Sequence, residues 1–472
     1  MSSTPKPSPA KKASKPITFN GAPASQELID AVAEYDGVPP SCPARIQRAY
    51  GRIKSSYFHT PTRLIEAHNV PQGYDVRYKC ELQHWTGSFK ERGALNTLLQ
   101  LKPEQMKKGV IAASAGNHAL ALAFHGRRLG IPVTVVMPTI APLTKIERCQ
   151  SFGARVIVQG ETIAESRRVC DAMVAESGQF YVNGFDHPRI VNGAGTVGVE
   201  IMEQLPDVDA IVVPVGGAGL IAGIALAVKF RNPTVKVIAV ESEACPSYSA
   251  AIAAGKPVET PVKTTIADGL HVPTVGAHSF YVSRKYVDET IVVSERHISQ
   301  AVLHILENDK MVCEGAGAAG VAALLSGQLE HLRGMKTAIV LCGGNIDVTA
   351  LGRVIERGLA MSKRLIRFTS TVPDRPGGLA EFAVALAKTG ASVKDIMQER
   401  PIIVSNKTTI LRVTIETKSA QHADQVVREM ADKGFQLAID VDHMEKPNTS
   451  EAQQRHQQQP SIGADLSKRS KL

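Results

Sequence analysis

Residues 110–138, VIAASAGNHALALAFHGRRLGIPVTVVMP, decide the fold. VIAA and PVTVVMP are short apolar runs of strand length, and GNHALALAFHGRRLG between them carries a helical pattern. Strand, helix, strand with no polar alternation in either strand reads as two parallel strands buried on both faces and joined by a crossover helix. The helix opens on Ser114-Ala115-Gly116, small residues at a strand-to-helix turn.

The same rhythm extends outward from this unit. ARVIVQG, AIVVPVGG, VKVIAVES, TIVVS and TAIVLCGG are further strand-like runs, and LIAGIALAVKF and GAGAAGVAALLSG are helical runs between them. The expectation is an α/β domain over residues 28–362 with parallel sheets covered on both faces. So many units exceed one comfortable sheet. Two lobes with a cleft between them are expected, the smaller spanning about residues 105–190 inside the larger.

The pattern changes near residue 362. RLIRFTSTV, ILRVTIET and FQLAIDVD alternate as strands do, and LAEFAVALAKTG and HADQVVREMADKG are amphipathic helices. Their order predicts a ferredoxin-like α+β module over 363–445. Residues 1–27 and 446–472 are polar and are expected to be disordered tails.

The 472 residues carry a formal charge of +9, but little of it falls on the folded middle. Residues 1–16 contribute +4 and residues 446–472 contribute +3. No basic helix interleaved with aromatics is present, so nucleic acid is not an expected partner. No apolar run reaches the roughly 18 residues of a membrane helix. Seven scattered cysteines without a C-x-x-C pair argue against a zinc site or a disulfide framework.

Three helix starts share one style. The first lies in HWTGSFKERGALN, residues 84–96, where Ser88 and Glu91 have the spacing of a capping box. Lys90 then falls in the first turn, where the macrodipole disfavours an ammonium and favours the free amine. The second is the turn from Ser114 to His118. The third is Gly216-Gly217-Ala218-Gly219-Leu220, a glycine-rich turn able to cradle an anion on backbone N–H groups. It lacks G-K-[ST] and G-x-G-x-x-G spacing, so neither a nucleotide P-loop nor a dinucleotide site is indicated. A lysine and two anion-accepting helix starts point to a cofactor that carries a phosphate and an aldehyde.

With these residues in view, the chain resembles the threonine dehydratase and serine racemase family of fold-type II pyridoxal-phosphate enzymes. The resemblance runs from about residue 45 to 360, through TGSFKERGALN, ASAGNHALALA, GARVIV, FDHP, GAGTVGVEI, VPVGGAGLIAG, TIADGL, CEGAGAAGVAALL and LCGGNID. It implies pyridoxal 5'-phosphate as cofactor, with Lys90 as the Schiff-base lysine and general base and Phe89 against the pyridine ring. It further implies Asn117 on the ring hydroxyl, Gly216, Gly217, Ala218, Gly219 and Leu220 around the phosphate, and Cys342 facing the pyridine nitrogen. Ser114, Ala115, Gly116, Asn117 and His118 would receive the substrate carboxylate. The implied reaction is β-elimination from L-threonine, and from L-serine, to a 2-oxo acid and ammonia. It would serve amino-acid catabolism or isoleucine-precursor supply.

Four positions depart from the family pattern. Racemases of this family carry a serine where this chain has Ala115, and a metal-binding aspartate where it has Ser247 beside Glu241. Leu120 replaces the usual glutamine, which bears on substrate preference. Ala218 replaces a glycine, and is expected to be tolerated if its φ stays negative. Rival readings are a serine racemase-type isomerase and a non-enzymatic amino-acid sensor.

The C-terminal module resembles an ACT domain through TVPDRPGGLAEFAVALAKTGASVKDI. That resemblance implies an amino-acid effector near Gly377, Gly378, Leu379 and Ser392, and a homodimer or homotetramer. The last three residues, Ser470-Lys471-Leu472, match a peroxisomal address read by an import receptor. A peroxisome-like organelle is therefore expected, with the cytoplasm as the alternative.

Overall fold

The computed structural model describes residues 41–56, 62–399 and 407–440, together with two short antiparallel strands, β1 (Thr18–Phe19) and β2 (Ala22–Pro23). The rest of the two tails, including Ser470-Lys471-Leu472, lies outside the described residues. The chain divides into two compact units, 1–355 and 356–472. The sequence places this boundary at 362. The observed one falls inside the helix Val348–Met361, which runs across the join.

Along the first unit the strands are β3 (Leu64–Glu66), β4 (Asp75–Lys79), β5 (Val110–Ala113), β6 (Val133–Met137), β7 (Arg155–Val158) and β8 (Phe180–Tyr181). They are followed by β9 (Ala210–Pro214), β10 (Lys236–Ser242), β11 (Glu289–Val293) and β12 (Lys336–Val340). They form two sheets. One has the order β11-β10-β9-β12-β4-β3, and the other β7-β6-β5-β8. Every pairing is parallel except β3 with β4 at the edge.

The deciding stretch folds as β5, the helix Asn117–Leu129 and β6, with Val110 opposite Val133 and Ala113 opposite Val136. Both strands lack alternation because both faces are covered, the arrangement that parallel sheets require. Each sheet has its own apolar core. Val212, Ile339 and Ile224 belong to one, and Leu98, Leu122 and Val135 to the other. Leu120 packs wholly buried in the second core. Its side chain is part of the small-lobe core.

The second unit runs β13 (Leu365–Pro373), the helix Gly378–Ala387, β14 (Ser392–Glu399), β15 (Thr408–Glu416), the helix Ala420–Asp432 and β16 (Ala438–Ile439). The sheet is antiparallel in the order β14-β15-β13-β16. Phe368 and Val372 of β13, and Leu411 and Val413 of β15, point into a core closed by Phe382, Leu386, Val426 and Met430. Strand β14 is an exposed edge along almost its whole length. This explains why its sequence shows no clear alternation.

Candidate active site

The turns that follow the carboxyl ends of β5, β8, β9 and β12 carry Ser114–His118, Gly184–Phe185, Gly216–Leu220 and Cys342–Asn345. In parallel sheets this end is where ligand-binding loops gather. Lys90 joins them from the start of the helix Lys90–Leu98. Its turn is stitched to the segment after β12. Phe89 N donates to Cys342 O at 3.0 Å, Gly344 N donates to Gly87 O at 2.9 Å, and Ser88 bridges Gly343.

That stitching overturns the capping box. Ser88 is held in an extended bridge, and its Oγ is buried without a partner. The residue before the helix is Phe89, and no side chain caps it. Glu91 does reach back to a backbone N–H, but to that of Thr86, while its other oxygen meets His125 Nε2 at 3.2 Å. The tertiary bridge wins because it satisfies backbone groups on two segments at once.

Lys90 is half-buried, and its Nζ donates to Gly184 O at 2.6 Å. Burial lowers its pKa from 10.5 to about 8, against the opposing pull of Cys342 and Glu314. Desolvation of the ammonium is therefore the main cause of its lowered pKa. Burial also pushes the Cys342 thiol far up, so it stays neutral. His118 is lowered to about 3 by burial and by the neighbouring Lys90 charge. As a neutral ring it meets Val182 O through Nε2 at 3.1 Å, and its buried Nδ1 has no partner.

Asn117 donates through Nδ2 to Glu314 Oε1 at 2.8 Å and accepts from Asn345 Nδ2 at 2.8 Å. Glu314 is raised to about 7, mainly by burial and then by Asp268. Sequence reading assigned no role to Glu314, Asn345, Gly184 or Phe185. Glu314, Asn345 and Phe185 stand in CEGAG, LCGGNID and FDHP, and Gly184 directly precedes the last of these.

The glycine turn after β9 leads into the 13-residue helix Gly219–Arg231. A Cβ at Gly217 would lie 2.4 Å from the Phe185 ring, and one at Gly219 2.3 Å from Phe185 O. Only bare backbone fits beneath Phe185, which leaves N–H groups at a positive helix end. Ala218 lies between them with φ +67°, in the left-handed region. The expected negative φ is not observed, and the methyl is strained by about 1–2 kcal/mol. Ala218→Gly relieves that strain but adds unfolded-state entropy. The net expectation is a gain of roughly 0.5–1 kcal/mol in urea unfolding. A loss of stability would count against the strained turn.

These residues suit a phosphorylated aldehyde. The glycine turn offers an anion cradle, and Lys90 offers an amine whose pKa burial lowers to about 8. Thr86 Oγ1, Ser88 Oγ and His118 Nδ1 are buried polar atoms still to be satisfied. A Cβ at Gly116 would meet open space, so the Ser114–His118 turn faces room for a small ligand. Glu241 is committed elsewhere. Its carboxylate accepts from Tyr248 N, Ser249 N and Ser249 Oγ at 2.6–2.8 Å. The proposed effector positions lie in the second unit. Gly377 has φ +91° before the helix Gly378–Ala387, Leu379 is exposed, and Ser392 begins β14.

A family profile described as pyridoxal-phosphate dependent enzyme matches residues 55–343. The chain is 40% identical over 399 residues to the L-threonine ammonia-lyase of Thermotoga maritima, covering 84% of this chain and 98% of that protein. It is 39% identical over 398 residues to the L-threonine ammonia-lyase of Geobacter sulfurreducens, with the same coverage of each. Among solved structures, threonine deaminase isoform 2 of Solanum lycopersicum superposes with a TM-score of 0.63 at 32% identity. It covers 66% of this chain and 93% of that one. Maize serine racemase superposes at 0.64 and 34% identity, covering 68% and 98%.

Proposed function

The chain belongs to the pyridoxal-phosphate dependent enzyme family, and we propose that within it this protein is an L-threonine ammonia-lyase that also accepts L-serine. Threonine yields 2-oxobutyrate and ammonia, and serine yields pyruvate and ammonia. The observation that carries the reading is the 40% identity over 399 residues, more than the first unit's 355 contains, to a protein of that name. Ala115 supports elimination over racemisation, since its methyl supplies no proton to the opposite face of Cα.

In this reading Lys90, Phe89, Asn117, Cys342 and the Gly216–Leu220 turn hold the cofactor, which withdraws electrons from the substrate Cα when bound. Lys90, its pKa lowered by burial, takes the Cα proton in its free-amine form. The backbone N–H groups of the Ser114–His118 turn orient the carboxylate at a helix start. Neutral His118 adds no competing cation. The neutral thiol of Cys342 is a weak donor that does not protonate a ring nitrogen. Such a partner favours loss of a β-hydroxyl over transfer of the amino group.

Covalent attachment of the cofactor requires the free amine of Lys90. At pH 7 a lysine of pKa 10.5 is unprotonated in about 1 molecule in 3,000, and one of pKa about 8 in about 1 in 10. The lysine-bound cofactor is yellow, and the rate at which cofactor-free chain acquires that absorbance is therefore expected to rise about tenfold per pH unit up to pH about 8, then level off. Stopped-flow absorbance checks this, and a rise continuing to pH 10 would contradict it.

The functional reading is tested by 2-oxo acid release from threonine and serine. A folded, cofactor-loaded chain that releases none from either would refute it. We also infer that the second unit takes an amino-acid effector at Gly377, Gly378, Leu379 and Ser392, and that the chain assembles as a homodimer or homotetramer. The strand order and antiparallel pairing of that unit support the first of these. Threonine saturation curves with and without branched-chain amino acids, and sedimentation, test the two.

A further inference from the structure

Asn345 spends every hydrogen-bonding group of its side-chain amide on fixed partners. Its Nδ2 donates to Thr86 O at 2.5 Å and to Asn117 Oδ1 at 2.8 Å. Its Oδ1 accepts from Arg148 Nη1 at 2.9 Å. A guanidinium on one side and a carbonyl on the other leave the amide one orientation, because a flip would set N–H against N–H and oxygen against oxygen. Gly87 makes room for it. A Cβ there would stand 2.6 Å from Asn345 Oδ1.

The constraint passes to Asn117. With Oδ1 taken by Asn345 and one N–H given to Glu314 Oε1, the Asn117 amide cannot flip either. Its second N–H remains unspent. A phenolic ring oxygen needs a donor, and a flipped amide would present it with a carbonyl oxygen instead.

We propose that Asn345 is a positioning residue that sets the amide orientation of Asn117, anchored from the small lobe by Arg148. Arg148 lies on the helix Leu143–Ser151, whose Thr144 and Lys145 also reach across to Asp347 and Asp268. The Asn117 donor is therefore set up only when this helix meets the segment after β12. The inference rests on the assignment of Asn117 to the ring hydroxyl, and the experiment separates the two.

Asn345→Ala, Arg148→Ala and Asn117→Ala are prepared as cofactor-loaded protein, and each spectrum is titrated with pH. Asn345→Ala is expected to move the absorbance titration of the lysine-bound cofactor by about one pH unit. Its kcat for threonine should fall roughly tenfold while KM changes less than about threefold. Arg148→Ala, an exposed change that leaves the core intact, should shift the titration in the same direction by less. A normal spectrum and titration in folded Asn345→Ala and Arg148→Ala, beside a shifted one in Asn117→Ala, overturns the positioning role and leaves the Asn117 assignment standing. Unchanged titrations in all three overturn that assignment and the inference with it. If Asn345→Ala does not fold, the Arg148→Ala comparison decides in the same way.

Discussion

Lys90→Ala is expected to lower kcat/KM for threonine by at least about 10⁴, the upper range of positioned proton transfer, because covalent anchoring is lost as well. Fold and stability should change little, since the half-buried amine makes a single hydrogen bond, to Gly184 O. The glycine turn beneath Phe185 is untouched, so the variant should still bind cofactor through the phosphate but lose the yellow absorbance. Lys90→Arg should not rescue turnover, because a guanidinium stays charged at every working pH. The measurement is single-turnover release of 2-oxobutyrate from loaded protein. Retention of more than about 1% of the wild-type rate would remove Lys90 from the role of base.

Arg92→Met should have the largest effect on stability. Arg92 lies on the same helix as Lys90 and is fully buried. Its guanidinium binds Glu81 at 2.7 and 2.8 Å and Glu200 at 2.8 Å through both terminal nitrogens. Glu200 is shared with buried Lys79 at 2.6 Å. Removing the guanidinium leaves two buried carboxylates under-neutralised, at a cost of about 3–5 kcal/mol. That is a large share of a typical net stability of about 5–15 kcal/mol. Lysine is a poor substitute because it cannot grip two carboxylates in one plane.

The same pair gives the pH dependence a sign. Burial alone would raise Glu81, but Arg92 and His84 hold its carboxyl well below the usual range. A depressed carboxyl contributes stability that is present above the unfolded pKa and is lost as pH falls through the folded one. Wild-type protein should therefore keep this contribution at pH 4.5 and lose it only in stronger acid. In Arg92→Met burial is less opposed, so the acid-unfolding midpoint should move upward. Circular dichroism across pH checks the direction, and an unchanged midpoint would sink the argument.

Much of the architecture was legible from local rules. Apolar runs without alternation marked β5, β6, β9 and β12 because strands covered on both faces need no polar side. Alternation marked β13 and β15 because one face of each is solvated. Two of the edge strands were harder to read. Strand β3 pairs antiparallel, and β14 is exposed, so neither carries the burial that writes a pattern.

The site was legible as a set of segments and illegible as a geometry. Lys90, Asn117, the Gly216 turn and Cys342 stand in recognisable motifs. The partners that set their behaviour are Gly184, Phe185, Glu314 and Asn345. These lie tens to hundreds of residues away and act through contacts that no local spacing encodes. Ser88 shows the cost of local reasoning, since its capping pattern was outcompeted by a bridge to Gly343.

The sequence by itself determined the class of fold and the three strand-to-helix turns, because periodicity and turn residues act over a few neighbours, and its motifs carried the resemblance that implies the chemistry. Only the tertiary structure decided that burial lowers the pKa of Lys90, that Ala218 is strained, and which way the Asn117 amide faces. Each of these depends on what distant chain segments remove from water or place within hydrogen-bond reach.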